Sequence, residues 1–395
     1  MLAAIFAGGY LYTRSSRPAA NGPEAEQQGG DQPNSAEQTA GIAESSRPEH
    51  AAHSTLAPKR HTEPEAYAQQ TWLALTNNIV LDNGRLTPDQ LAQVRAGFQA
   101  LIGQGASAVP AIRQMLEQKM DVNYGKGSGE TIGATTLRTG LLEALQQIGG
   151  ADAMALSREV LRTTTNPLEI AQLTRNLEAT SPGQYSQESL QTIYSMLNAM
   201  AQNQPADTDV GPLFQALQTY GGTNAIPELE SLAQRWNYYA TLALADLPSG
   251  QGIPSLTKLA MDNSPAGIGN RDFALQMLAQ LSPQYSDAGT ALLEMMKQNL
   301  IPDSAWPRVA DVLSGVQYQV TGEYPDNMFS AVDGTYLRTQ REQEGNQNFL
   351  SNTADGNVEQ RLGVLDQLIG ANPDQAALQA LQQARARLTR GIARK

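Results

Sequence analysis

From Phe214 to Met296 the chain runs as apolar stretches broken at Gly or Pro: FQALQTYGGTNAIPELESLAQRW, then YATLALADLPSGQGIPSLTKLAMD, then FALQMLAQLSPQYSDAGTALLEMM. In the first two, an Ile-Pro step opens a second amphipathic run. That pattern predicts a helix, a tight turn and a second helix. Helical spacing recurs elsewhere, in Leu137, Leu141, Leu145 and Ile148, in Ile170, Leu173 and Leu177, in Leu190, Ile193 and Leu197, and in Leu229, Leu232 and Trp236. Alternation of period two is nearly absent, so the predicted fold class is all-α.

Three helix starts are marked by their caps. Thr87-Pro88 with Gln90, Asn166-Pro167 with Glu169, and Asn372-Pro373 with Gln375 each set a capping side chain before a proline, with a Glu or Gln reaching back. The turn that follows each first helix is marked by Leu101, Leu145, Leu177, Leu217, Leu244, Leu278 and Leu313, at intervals of 27 to 44 residues. Thr180 to Ser186 (TSPGQYS) recurs as Leu281 to Ser286 (LSPQYS), and Ala144-Leu145 recurs as Ala243-Leu244. Both echoes point to a duplicated block of about one hundred residues.

The repeating unit resembles HEAT-like repeats. The residues that carry the resemblance are Ala216-Leu217, Gly221-Gly222, Ala225-Ile226-Pro227, Leu229 and Leu232, then Ala243-Leu244, Gly252-Ile253-Pro254, Leu256 and Leu259. Weaker matches are Ala108-Val109-Pro110 with Ile112, and Ala144-Leu145 with Gly149-Gly150. The resemblance covers residues 98–315, and it departs from the pattern in lacking a regular acidic and basic pair. It implies a right-handed α-solenoid of stacked helical hairpins with a concave, ligand-facing inner layer.

Around this array, residues 67–316, the chain divides by composition. Residues 1–13 hold an apolar run, Leu2 to Tyr12, shorter than the roughly 20 residues that span a bilayer. Three readings stay open for it: a membrane anchor, a secretory signal cut near Ala19-Ala20, or a plain tail. Residues 14–66, rich in Ala, Ser, Gln, Glu, Pro and Gly, read as a disordered linker. Residues 317–357 lack a period and read as an irregular loop. Residues 358–395 hold two helical stripes, Val358, Leu362, Leu365 and Ile369, then Leu378, Leu381, Leu388 and Ile392, which read as a C-terminal cap.

Charge and residue usage narrow the chemistry. The formal charge is -12, and the chain after residue 65 carries 22 basic against 31 acidic residues, so no nucleic-acid partner is expected. There is no cysteine, and the three histidines, His50, His53 and His61, precede the array. Imidazole bases, thiolates and the commonest transition-metal ligands are therefore absent from it, and no metal or small-molecule cofactor is expected. Tyr124 to Thr131 (YGKGSGET) has the glycines of a phosphate loop but the wrong order around Lys126, and reads as a loop between helices. Leu81 to Gln90 lacks the ligands of an EF-hand. Asp207-Thr208-Asp209 and Asp326 to Asp333 have paired carboxylates without the ligand spacing of a known metal loop.

Two clusters remain as candidate contacts. Arg235, Trp236, Tyr238 and Tyr239 form the densest aromatic group, suited either to packing between repeats or to a partner-binding hot spot. Arg385, Arg387, Arg390, Arg394 and Lys395 suit either an anionic surface or the negative end of the last helix. The sequence thus reads as a non-enzymatic scaffold or adaptor that binds a protein or peptide on its solenoid surface. On this reading it is tethered to a membrane on the extracytoplasmic side, with secreted or cytoplasmic placement as the alternative. The competing reading is a carboxylate-dependent enzyme, a hydrolase or lyase, with its site in the superhelical groove.

Overall fold

A computed structural model describes residues 63–316 apart from 78, 83, 126–127, 204–208 and 265–266, together with 318–319, 338–339 and 358–392. The apolar run of residues 1–13, nearly all of the linker and most of the 317–357 stretch lie outside the described residues. The chain divides into two units, Met1–Gln70 and Thr71–Lys395. Helix α1, Glu63–Thr76, begins four residues before the predicted start of the array at Tyr67 and crosses that division. Among the described residues no helix is long and apolar enough to cross a membrane.

The second unit is helical. Its first helices are α2 (Pro88–Gln104), α3 (Val109–Glu117), α4 (Ser128–Ile132), α5 (Leu137–Ile148), α6 (Gly150–Thr163), α7 (Pro167–Thr180) and α8 (Ser186–Asn203). There follow α9 (Gly211–Ala216), continued by a π-helical turn Leu217–Gly221, then α10 (Ile226–Leu232), α11 (Asn237–Ala245) and α12 (Ile253–Ala260). Helices α13 (Ile268–Leu281), α14 (Ser286–Lys297), α15 (Trp306–Leu313), α16 (Val358–Gly370) and α17 (Gln375–Ile392) complete it. The described exceptions are two dipeptide strands, β1 (Tyr318–Gln319) and β2 (Arg338–Thr339), paired antiparallel within the stretch read as irregular.

Contacts order the helices into one continuous row and a second row followed in two separate runs. In the first, α2, α5, α7, α9, α11, α13, α15 and α17 each touch the next. In the second, α3 touches α6, α6 touches α8, α12 touches α14 and α14 touches α16. Leu101, Leu145, Leu177, Leu217, Leu244, Leu278 and Leu313 all fall in the first row, and each is at most 2% exposed. In α7 the six consecutive residues 169–174 are buried, as are 240–245 of α11 and 274–279 of α13. The middle of the first row is thus covered on every side, and the polar groups there need partners. Neighbouring backbones supply them: Gln172 Nε2 donates to Thr139 O at 2.9 Å, and Asn176 Nδ2 to Leu142 O at 3.2 Å. Buried Glu169 accepts from both Arg138 Nε and Nη2 at 2.6 and 3.0 Å.

Helix starts follow local chemistry. Thr87 and Gln90 form the reciprocal cap, and Asn166 Oδ1 accepts from Leu168 N at 2.9 Å. At the third site the expected cap is displaced. Asn372 sits at φ 54 in the turn after α16, and Asp374 Oδ1 instead accepts from Ala377 N at 2.8 Å. The asparagine serves to reverse the chain, since its short side chain tolerates the left-handed region. The Tyr124 loop is also more anchored than its glycines imply. Tyr124 is fully buried, its hydroxyl donates to Leu75 O at 3.1 Å, and Ser128 Oγ donates to Gly125 O at 2.7 Å.

Four helix starts recur about one hundred residues apart. Helices α5 to α8 begin at 137, 150, 167 and 186, and α11 to α14 begin at 237, 253, 268 and 286.

Candidate functional site

The turn from α10 to α11 is closed by backbone bonds from Arg235 N and Trp236 N to Leu232 O, at 3.0 and 2.8 Å. Asn270, near the start of α13, holds it from outside by donating Nδ2 to Ala233 O at 3.0 Å. Arg235 is exposed at this turn, with its guanidinium 5.3 Å from the centroid of the half-buried Trp236 ring. Trp236 Nε1 is buried and has no hydrogen-bond partner among the described residues. Met261, which is 44% exposed, ends the helix before α13 and so lies at the next turn of the same succession.

Tyr238 and Tyr239 point to different work. Tyr239 stacks on Phe214 of α9 at 5.7 Å, Tyr238 meets Tyr239 at 5.2 Å, and Tyr238 meets Phe273 of α13 at 5.4 Å. Four rings in succession therefore stitch three first-row helices together. Tyr239 Oη also donates to Asp209 Oδ1 at 3.2 Å, and the same oxygen accepts from Gly211 N at 2.8 Å. Burial raises the Asp209 carboxyl above its ordinary value, although these two donors oppose the shift. Burial first, then the nearby Asp209, pushes the Tyr238 phenol up to about 12.

The predicted group of four is thus brought together and divided. Arg235 and Trp236 form the outer edge, while the two tyrosines serve the packing between helices. Phe214, Phe273 and Asp209 complete the inner part, and sequence spacing alone did not reveal them as its partners. The signal was present only as aromatics on α9, α11 and α13, the pairs that touch lying 25 and 35 residues apart. Asp209 uses one oxygen for two structural bonds, and Asp207, Thr208 and the Asp326 to Asp333 segment lie outside the described residues. Among the described residues no group of three acidic or imidazole side chains is placed to hold a metal ion.

The C-terminal cations are also divided. Arg385 pairs with Asp366 of α16, Arg387 pairs with Asp311 of α15, and Arg390 Nε donates to Ala386 O of its own helix at 3.1 Å. Two of these charges therefore fasten α17 to its neighbours. Arg394 and Lys395 lie outside the described residues. A further cation that sequence reading passed over is Arg361. It is 8% exposed and donates from Nη1 to Val312 O at 2.9 Å and Leu313 O at 3.2 Å, capping the end of α15. No protein-family model, curated protein or solved structure matches the chain.

Proposed function

We propose that the chain is a non-enzymatic scaffold, a right-handed α-solenoid of HEAT-like hairpins that holds a protein or peptide partner on its surface. The observation that supports this reading is the continuous succession of contacts from α2 through α5, α7, α9, α11, α13 and α15 to α17, flanked by the shorter runs α3–α6–α8 and α12–α14–α16. Hairpins that cannot bury their apolar faces alone reach stability by such stacking, and they leave long edges of turns for contact. At one edge, exposed Arg235 lies over Trp236, two of the residue types enriched in binding hot spots. The carboxylates drawn into the body support a non-catalytic role. Glu169 is taken up by Arg138 and by Thr164 Oγ1 at 2.7 Å, and Asp209 by Tyr239 and Gly211.

Tethering through Leu2 to Tyr12 belongs to the same proposal. Alkaline extraction of membranes, with the chain retained in the pellet, supports it, and release into the supernatant counts against it. For the partner edge, a photo-crosslinking residue at position 235 is the direct probe in detergent-solubilised membranes. The expected result is a discrete protein adduct that Trp236→Ala abolishes without lowering the melting temperature of the purified chain. The reading fails if no adduct forms, or if Trp236→Ala unfolds the chain.

A further inference from the structure

A cleft of about 420 Å³ opens between α15 and α17. Its polar lining is Asp303, Asp311, Gln379, Gln383 and Arg387, and its apolar lining is small, from Pro307 and two alanines. No aromatic ring lines it, so it offers no platform for stacking a base or a sugar. Arg387 is committed: its Nη1 pairs with Asp311 and donates to Ser314 Oγ at 3.2 Å. The cleft therefore has little positive charge left for an anion. Asp303, Gln379 and Gln383 are exposed, and their side chains make no hydrogen bond among the described residues. The groups on offer are one carboxylate and two carboxamides, each carboxamide both donor and acceptor.

Their spacing has a counterpart in extended chains. Gln379 and Gln383 stand one helical turn apart, about 6 Å along the axis, and an extended peptide repeats every two residues over about 6.6 Å. Successive carboxamides can thus meet alternate peptide groups on one edge of an extended segment. Asp303 then selects for a positive side chain, and the charge of -12 on the whole chain favours its approach. We propose that this cleft receives an extended segment of the partner that carries a lysine or arginine side chain at Asp303. This inference rests on the scaffold reading and gives it a second, chemically defined contact apart from Arg235 and Trp236.

The test uses the full chain and a fluorescein-labelled peptide of alternating serine and lysine, with a serine and glutamate peptide as comparison, read by fluorescence anisotropy. The lysine peptide is expected to bind and the glutamate peptide not. Asp303→Asn should weaken binding about fivefold, the scale of a solvent-accessible charge contact. The double variant Gln379→Ala/Gln383→Ala should weaken it by a similar factor. Asp152→Asn, an exposed acid on α6, should leave it unchanged, which separates the cleft from general charge. Equal binding of the two peptides overturns the proposal, as does native affinity in Asp303→Asn or in the double variant. Loss of the lysine peptide in Trp236→Ala, with the cleft variants unaffected, also overturns it and moves the cationic contact to the Arg235 edge. Failure of the crosslink at 235 with normal peptide binding, in contrast, removes that edge and leaves the cleft standing.

Discussion

Arg361 and Asp209 show how single residues carry cost as well as support. Arg361 brings a charge into the body without a carboxylate, and burial lowers its pKa from the ordinary guanidinium range. Its Nε is buried without a partner among the described residues, so only the two α15 carbonyls offset the desolvation. Removing it takes the donor from Leu313 O, while Val312 O keeps Gly315 N at 2.9 Å. Arg361→Ala should therefore lower the unfolding free energy by about 1–3 kcal/mol in denaturant titration. Asp209 works through pH. Its carboxyl is raised in the folded chain, so folding binds a proton between the unfolded value near 3.9 and the raised one. Its contribution to stability is then present at low pH and falls as pH rises through that window. Asp209→Asn keeps an acceptor for Tyr239 and Gly211 but removes the titration. The variant should gain on the native chain in melting temperature as pH rises above about 4.

At the scale of elements, close approach decides which helices can neighbour. A Cβ on Gly252 would stand 1.9 Å from Leu244 O, a backbone atom of the preceding first-row helix that cannot swing away. Gly252→Ala should cost about 3 kcal/mol, measured as a shift of the denaturation midpoint. Much at this scale was legible in the sequence. The seven leucines mark the first row because a buried turn-end position tolerates little else, and Ile226-Pro227 and Ile253-Pro254 open α10 and α12 as predicted. What the period could not show is that α7, α11 and α13 are covered on all sides. A stripe of Ile170, Leu173 and Leu177 leaves Glu169, Gln172 and Asn176 looking solvated. These polar residues are instead buried against α5 and answered by its groups, a pairing set by tertiary contact and not by local pattern. The candidate edge was legible as a cluster of four. Its division into Arg235 and Trp236 outside and the two tyrosines within depends on Phe214 and Phe273, which only the stacking of rows brings near.

For the whole second unit, the two ends of the succession matter most. Helix α17, the last described, has an exposed face of Gln375, Gln382 and Arg390 and a buried face of Leu381, Ala384 and Leu388. On the solenoid proposal, this is the polar outer face that keeps a stacked repeat array soluble. A chain ending after residue 316 should expose the α15 surface that α17 covers. It is expected to melt lower than the full chain and to self-associate, as seen by size-exclusion chromatography with light scattering.

The recurrence of four helix starts about one hundred residues apart also bears on how the length of such a chain can change. Joining the segment before α5 directly to α11 preserves helix order, and on paper it deletes one block cleanly. The seam would nonetheless misfit. Phe98 of α2 lies against Gly140 of α5, so close that a Cβ there would be 2.1 Å from its ring. The corresponding position in α11, one hundred residues on, is Ala240, which carries that Cβ. A shortened chain would need Ala240→Gly, or a smaller residue at 98, before its ends could meet. The join is thus gated at a single methyl group, and the helix that starts at 237 cannot simply stand in for the one that starts at 137.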